Sequence, residues 1–409
     1  MTEAGGRRRA LALVAAAQLL AMSVWFSAGA VQADLQARWD LDAARAGWLT
    51  SAVQAGFVAG TAAAALLNLA DLLPARWYVS VSILLAALAN AALAGAGGFG
   101  SAMGARFATG VFLAGVYPPA MKMVATWFRR GRGLAIGILI ASLTVGKAVP
   151  YLMSALLGEA RLVVLGASCL AAAGAVLVAA GYADGPHAFA RHPFSWRLAG
   201  DVLADRPTRL AIGGYLGHMW ELYAMWAWIP AFLAASFGAA GMGEPAGRAA
   251  ALAAFAAVAA GGAGCVWGGW RADRIGRERL VTQAMAASGG CALLIGALYG
   301  MSPWVTSALA VAWGFFVVAD SAQFSTLVTE LAPRHGVGTA LTLQTSLGFL
   351  LTVVTLQLVP ALAERFGWRW SFAALALGPA AGIAAIARLA RQRRVPAGAP
   401  VLNSGPPSR

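Results

Sequence analysis

The chain has 409 residues, is 60% hydrophobic and only 11% charged, and carries a formal charge of +14. A soluble protein of this size needs more charge to cover its surface, so a soluble globular fold is excluded. The basic residues fall in short loops between apolar runs rather than on one face of a domain, which argues against nucleic acid as a partner.

Twelve apolar runs, most of them near the ~20 residues that cross a bilayer as helix, predict an all-α, multi-pass membrane protein. They lie at 10–33, 46–70, 77–97, 102–127, 133–157 and 161–182, then at 209–236, 249–270, 280–300, 303–329, 336–360 and 369–390. Arg7, Arg8 and Arg9 before the first run, with Ala28-Gly29-Ala30 after it, mimic a secretory signal; the length of the run and those that follow favour an uncleaved first span. Cys169, Cys265 and Cys291 each sit inside an apolar run and form no CxxC pair, and the four histidines form no cluster, so neither a disulfide nor a metal is expected.

The polar stretch 183–208 separates two sets of six spans. The expected organisation is an N-terminal half (1–182), a linker (183–208), a C-terminal half (209–394) and a Pro/Gly/Ser-rich disordered tail (395–409). Arginine bias sets the orientation. Arg129, Arg130, Arg132, Arg271, Arg274, Arg277 and Arg279 share the side of the N-terminus, against Arg38, Arg45, Arg161, Arg248, Arg365 and Arg369 opposite. Both termini are therefore expected in the cytoplasm.

The halves echo each other. GWRADRIGRER (269–279) links spans eight and nine, and LNLADLLPAR (67–76) stands at the matching place between spans two and three. Gly110 in span four and Gly314 in span ten hold similar places. Tandem six-helix halves are a transporter signature.

Few ionisable residues lie within the spans: Arg106, Lys122, Lys147, Glu221 and Asp320, with His218 beside them. A charge there is costly unless paired or wetted, so each is a site candidate. Lys147 falls ~14 residues into span five, roughly 21 Å along the helix, too deep to snorkel easily. Thr144, Tyr151 and Ser154 share its face, as in a cavity lining. It reads as an anion clamp or as the partner of a carboxylate. Lys122 reads equally as functional or as a snorkelling residue, and Arg106 as a proton- or substrate-handling group or an interface anchor. Span seven holds GYLGHMWELYAMWAWIP (214–230), where Glu221 and His218 share a stripe; His218 and Tyr223 are candidate substrate contacts. Trp226 and Trp228 belong either to this site or to an interfacial belt. Glu221 and Asp320 are candidate proton carriers. Trp25 in span one (with Gln18 on its face), Gln54 in span two and Gln344 in span eleven either bind a polar ligand or join helices.

The chain resembles the major facilitator superfamily of secondary transporters over nearly its full length. GWRADRIGRE (269–278) matches the loop motif GxxxDRxGRR of that family at Gly269, Asp273, Arg274, Gly276 and Arg277; Glu278 replaces the last arginine. The resemblance implies a cytoplasmic latch in which the aspartate caps a helix and pairs with arginines. The N-terminal copy keeps Asp71 and Arg76 but loses both glycines. The resemblance also implies a substrate site between the halves, lined by helices one, four, seven and ten, with access alternating from side to side. The fifth-helix pattern of drug/proton antiporters is reduced here to Gly146, with Lys147 at its proline position. The arginines of nitrate porters and the eleventh-helix lysine of oxalate carriers are absent. The expectation is a non-enzymatic, proton-coupled small-anion symporter of the cell inner membrane, monomeric and without cofactor, driven by the proton gradient. The alternative is an exporter of amphipathic or cationic compounds.

Overall fold

A computed structural model describes residues 3–128, 132–187, 196–333 and 336–394. The described residues are helical, with no strand. We label the spans α1 to α12. They are α1 (Glu3–Met22), α2 (Ala43–Leu66), α3 (Ala75–Gly95), α4 (Phe99–Ala125), α5 (Gly133–Leu157) and α6 (Ala160–Gly181), then α7 (Arg206–Ala239), α8 (Ala246–Ile275), α9 (Arg277–Leu298), α10 (Pro303–Leu331), α11 (Val337–Phe366) and α12 (Trp368–Arg393). All but α1 are long and apolar enough to cross a membrane. The first span, expected as one run over 10–33, is broken: α1 ends at Met22, turns occupy 23–26, and a short helix, Ser27–Ala30, follows. The linker also holds a helix, Trp196–Ala204, packed against α7 and α11. The expected tail at 395–409 lies outside the described residues.

Two further spans are interrupted. In α4 the helix stops at Leu113 and restarts at Tyr117, with Pro118 and Pro119 in the first turn of the new segment, where a missing N–H costs nothing. In α10 it stops at Ala319 and restarts at Ser321, leaving Asp320 at the junction. Discontinuous helices near mid-membrane are where transporters expose backbone to a substrate or ion.

An even number of crossings returns both termini to one face. On it Arg7 lies over the Phe128 ring at 5.2 Å, and Arg393 Nη1 bonds Glu278 Oε1 at 2.6 Å. Exposed tryptophans mark two levels: Trp77 and Trp270 toward the terminal face, Trp48, Trp304 and Trp370 toward the opposite one. Their amphipathic rings suit the headgroup zones, and the exposed leucines and valines between suit hydrocarbon.

Within each half, helices approach to backbone contact. A Cβ placed on Gly110 of α4 would fall 2.1 Å from the Val53 carbonyl oxygen of α2. One placed on Gly314 of α10 would fall 1.8 Å from that of Ala257 on α8. The two glycines equated by the internal repeat thus do the same job in α2–α4 and α8–α10. The halves meet along α5 against α8 and α2 against α11. There the contacts are softer: at Gly262 the nearest atom is the Val145 side chain at 3.0 Å.

Side chains bond across the halves at three levels. Lys147 Nζ on α5 donates to Tyr223 Oη on α7. Farther from the terminal face, Tyr151 Oη donates to the Trp226 carbonyl at 2.9 Å. Farther still, Gln357 of α11 reaches the start of α2. With its amide nitrogen facing the Ala44 carbonyl (3.2 Å), it accepts from Ser51 Oγ (3.0 Å) and Trp48 N (3.3 Å).

Gly314→Ala is expected to lower the thermal midpoint of the purified protein by the equivalent of about 1–3 kcal/mol, the usual cost of overpacking. Gly247→Ala, at a helical position with nothing within 4 Å, is expected to leave it unchanged or slightly raised. A differential scan of the two variants checks the contrast.

Candidate functional site

The site begins with the break in the first span. A helix that stops inside a membrane frees carbonyl groups that water cannot satisfy there. Arg106 of α4, fully buried, supplies the donors. Its Nη1 donates to the Val24 carbonyl (2.9 Å), Ser27 Oγ (3.1 Å) and Asn90 Oδ1 (2.7 Å); Nη2 donates to the Trp25 carbonyl, and Nε to that of Leu49 at 3.4 Å. Asn90 of α3 continues the network to α6, through Ser168 Oγ at 2.9 Å and the Val164 carbonyl at 3.2 Å. None of these partners is a carboxylate. The carbonyl end of the α1 dipole and the oriented amide oxygen offset the charge instead. Arg106 is therefore not an interface anchor; it holds Trp25 and Phe26 in place.

Those two residues join an aromatic cluster that spans both halves. Trp25, Phe26, Phe57 (α2) and Tyr151 (α5) meet Tyr223 and Trp226 (α7) and Phe349 (α11), all buried, with ring centroids 4.5–6.2 Å apart. Lys147 projects into it, 1% exposed. Its Nζ lies 4.0 Å from the Trp25 ring centre, 4.5 Å from Tyr223 and 5.2 Å from Trp226. The expected carboxylate partner is absent among the described residues. Glu221 and Asp320 are engaged elsewhere, and π faces surround Lys147 instead of an open wet cavity. A desolvated cation–π contact contributes about 2 kcal/mol or more, whereas stripping water from an ammonium costs several. Three such faces and one hydroxyl roughly offset that cost and leave the charge without a counter-ion. The indole nitrogens of Trp25 and Trp226 also lack hydrogen-bond partners among the described residues. Unused donors thus gather at Lys147.

The acids belong wholly to the C-terminal half. Glu221 is 1% exposed and accepts from Trp313 Nε1 (2.6 Å) on α10 and Ser288 Oγ (2.8 Å) on α9. The indole can only donate. The serine hydroxyl can donate to a carboxylate or turn to accept from a protonated acid. This pair of partners therefore tolerates both states of Glu221. One turn along α7, His218 Nδ1 lies 2.9 Å from Asp320 Oδ1. His218 Nε2 and Asp320 Oδ1 have no hydrogen-bond partner among the described residues, so the two groups are close without the alignment of a hydrogen bond. Asp320 stands at the N-terminus of the second segment of α10, where the helix dipole favours negative charge. The amides of Gln18 and Gln54 and the Oε1 of Gln344 are likewise buried and unpartnered. Gln18, Gln344 and His218 all precede the aromatic cluster on helices that rise from the terminal face, so unpaired polarity extends from the cluster toward that face.

This arrangement coincides with a family match. The model of the Major Facilitator Superfamily matches residues 13–356. The chain belongs to that superfamily. Comparison with curated proteins gives no match. Among solved structures, a bacterial homologue of the human lysosomal transporter Spinster, in an inward-facing and unoccupied conformation, superposes with a TM-score of 0.72 at 14% identity, covering 94% of this chain and 97% of the other. A point mutant of the nucleoside transporter NupG superposes with a TM-score of 0.72 at 12% identity, covering 93% and 99%. At these identities the likeness shows the fold. The protein is thus a multi-pass membrane transporter and not an enzyme.

The superfamily's loop motif is built differently from the expectation. Asp273 is exposed in the last turn of α8 and pairs with no arginine among the described residues. Arg274 lies over the Trp270 ring at 3.6 Å. The acid that meets the motif is Glu330: Arg277 bonds it at 2.9 Å and also bonds Gln323 at 3.1 Å, tying α9 to α10. Gly276, at φ 88° and ψ 151°, makes the sharp turn into α9 in a region open to glycine alone. Gly269 approaches nothing, whereas its neighbour Gly268 meets the Ala319 carbonyl. In the N-terminal copy, Arg76 Nε bonds the Ala179 carbonyl at 2.5 Å, and the side chain of Asp71 lies outside the described residues.

Thr144 turns away from the cluster. Its hydroxyl bonds the Ile140 carbonyl, and its methyl faces Gly261 of α8. Trp226 and Trp228 are buried and form no interfacial belt. Phe26, Phe57 and Phe349 went unread because a phenylalanine in an apolar span looks like lipid-facing filler. Ser288 and Trp313 went unread because only contact with Glu221 distinguishes them. Asn90 also went unread, although a polar residue mid-span was a signal available for the Arg106 network.

Arg106→Ala is expected to cost more than about 3 kcal/mol, since it strands several buried acceptors at once. Arg106→Lys is expected to recover only part, because an ammonium cannot span the same fan of oxygens. Thermal midpoints of the two variants, read with tryptophan fluorescence, check this.

Proposed function

We propose that this superfamily member is a proton-coupled symporter of a small anion, with Lys147 holding the negative charge and Glu221 and the Asp320–His218 pair carrying protons. The observation that carries the reading is the ammonium of Lys147, buried between the halves without a carboxylate and beside two unused indole donors. Tyr151 and Tyr223 belong to the same site; Gln54, Gln344 and Trp25 offer further polar contacts. His218 serves here with the proton carriers instead of the substrate. Arg106 acts by fixing the first span.

The charge arrangement suits coupling. The N-terminal half contributes the buried cations Arg106 and Lys147, and the C-terminal half the buried acids. Protonation neutralises the buried acid and the anion neutralises Lys147 without changing the net charge, so neither group crosses a low-dielectric path as an isolated charge. The arginine bias supports cytoplasmic termini in a cell inner membrane. The bonds across the halves at and beyond Lys147 then belong to a state closed to the outside. No cofactor is needed, and the working unit is a monomer. The alternative, export of amphipathic cations across the same aromatic faces, is less favoured because Lys147 already occupies those faces and repels a second cation.

Thermal stabilisation of the purified protein across a panel of anions and cations tests the reading. Anions are expected to stabilise the wild type and to lose that effect in Lys147→Ala. Stabilisation by lipophilic cations alone, equal in both proteins, would sink it. In proteoliposomes, Glu221→Gln is expected to keep anion binding but lose the acceleration of uptake by an inward proton gradient, with uptake falling at least about tenfold, the scale of one lost proton-transfer group.

A further inference from the structure

The walls around Lys147 are one-sided in their chemistry. Its ammonium, the indole N–H groups of Trp25 and Trp226 and the hydroxyls of Tyr151 and Tyr223 supply polarity. Apart from the amides of Gln54 and Gln344, the remaining surface is ring carbon from Phe26, Phe57 and Phe349, with Phe57 and Phe349 only 4.5 Å apart between centroids. A fully hydrated inorganic anion needs donors on every side when it leaves water, and an apolar wall penalises it. An anion with a charged head and an apolar body matches both surfaces.

The number of positive charges also selects. Arg106 is the other buried cation of this half, and the carbonyls of Val24, Trp25 and Leu49, with Ser27 and Asn90, already take up its donors. Lys147 is thus the one cation among the described residues that projects into the aromatic cluster, which suits a single negative charge. Flat rings on both halves suit a flat body, because offset and edge-to-face aromatic pairs add to simple burial.

We infer that the substrate is an aromatic monocarboxylate, its carboxylate on Lys147 and the indole N–H groups and its ring between Phe57, Phe349 and Tyr223; this deepens, and rests on, the anion reading of the same site. The carboxylate displaces the ammonium from its π contacts into an ion pair. The ring replaces part of the contact between the two halves.

The test is binding of benzoate, cyclohexanecarboxylate, acetate and nitrate to the full-length protein in detergent, read by thermal shift and by tryptophan quenching, with benzylammonium as the cationic control. Benzoate is expected to bind at least about tenfold more tightly than acetate, the scale of burying a ring. It is expected to exceed cyclohexanecarboxylate by about threefold, the scale of an aromatic pair. Phe349→Leu is expected to bring benzoate down toward acetate while leaving acetate unchanged, which keeps the test open if Lys147→Ala fails to fold. Acetate or nitrate binding as tightly as benzoate would overturn the aromatic class and leave the anion reading standing, as would cyclohexanecarboxylate matching benzoate. No response to any of the four anions would overturn both, whatever benzylammonium does.

Discussion

The carbonyls released where the first helix breaks have to find donors inside a membrane, and a single guanidinium provides them. Arg106 bonds the carbonyls of Val24 and Trp25 as well as Ser27 and Asn90. Without that fan of bonds the turn at 23–26 has no reason to persist, and the chain would gain more by closing into a continuous helix. The break in turn lets Trp25 and Phe26 both meet the ring of Tyr223, where a regular helix would point them about 100° apart. Both then reach the cluster around Lys147. One arginine on the fourth span thus decides the shape of a site built mostly by other helices.

Charge is sorted between the halves by solvation as much as by pairing. The cations of the N-terminal half are held by dipoles and π faces, which are fixed in strength. The acids of the C-terminal half are held by a hydroxyl, an indole and an imidazole, two of which can exchange donor and acceptor roles. One half therefore presents a permanent field and the other an adjustable one.

The fold was legible in the sequence because hydrocarbon imposes it: runs near 20 residues, arginines in the loops and a repeated loop motif leave little freedom. The depth of Lys147, Glu221 and Asp320 was legible for the same reason, since a charge interrupts an apolar run visibly. Their partners were not. Opposite charges in one membrane suggest an ion pair, yet Glu221 settles on Ser288 and Trp313, and Lys147 on aromatic rings, because those neighbours lie on helices whose rotation no periodicity fixes. The loop motif misled in a similar way: Asp273 is the conspicuous acid, but Glu330, at the end of another span, is the one in reach of Arg277. The break in the first span was hidden because none of Ser23 to Phe26 is a glycine or proline.

The glycine contacts have a mechanical consequence. Inside each half, α2–α4 and α8–α10 are joined backbone to backbone, with no room even for a methyl group. Between the halves, the nearest neighbour of Gly262 is a Val145 methyl at 3.0 Å, which can turn about its own bond, with the Ala141 carbonyl oxygen farther off at 3.3 Å. The first kind of joint resists shear because nothing in it can rotate; the second yields by changing rotamers. Compliance is therefore concentrated in a single plane through the molecule, and thermal agitation along that plane is the softest deformation the protein has.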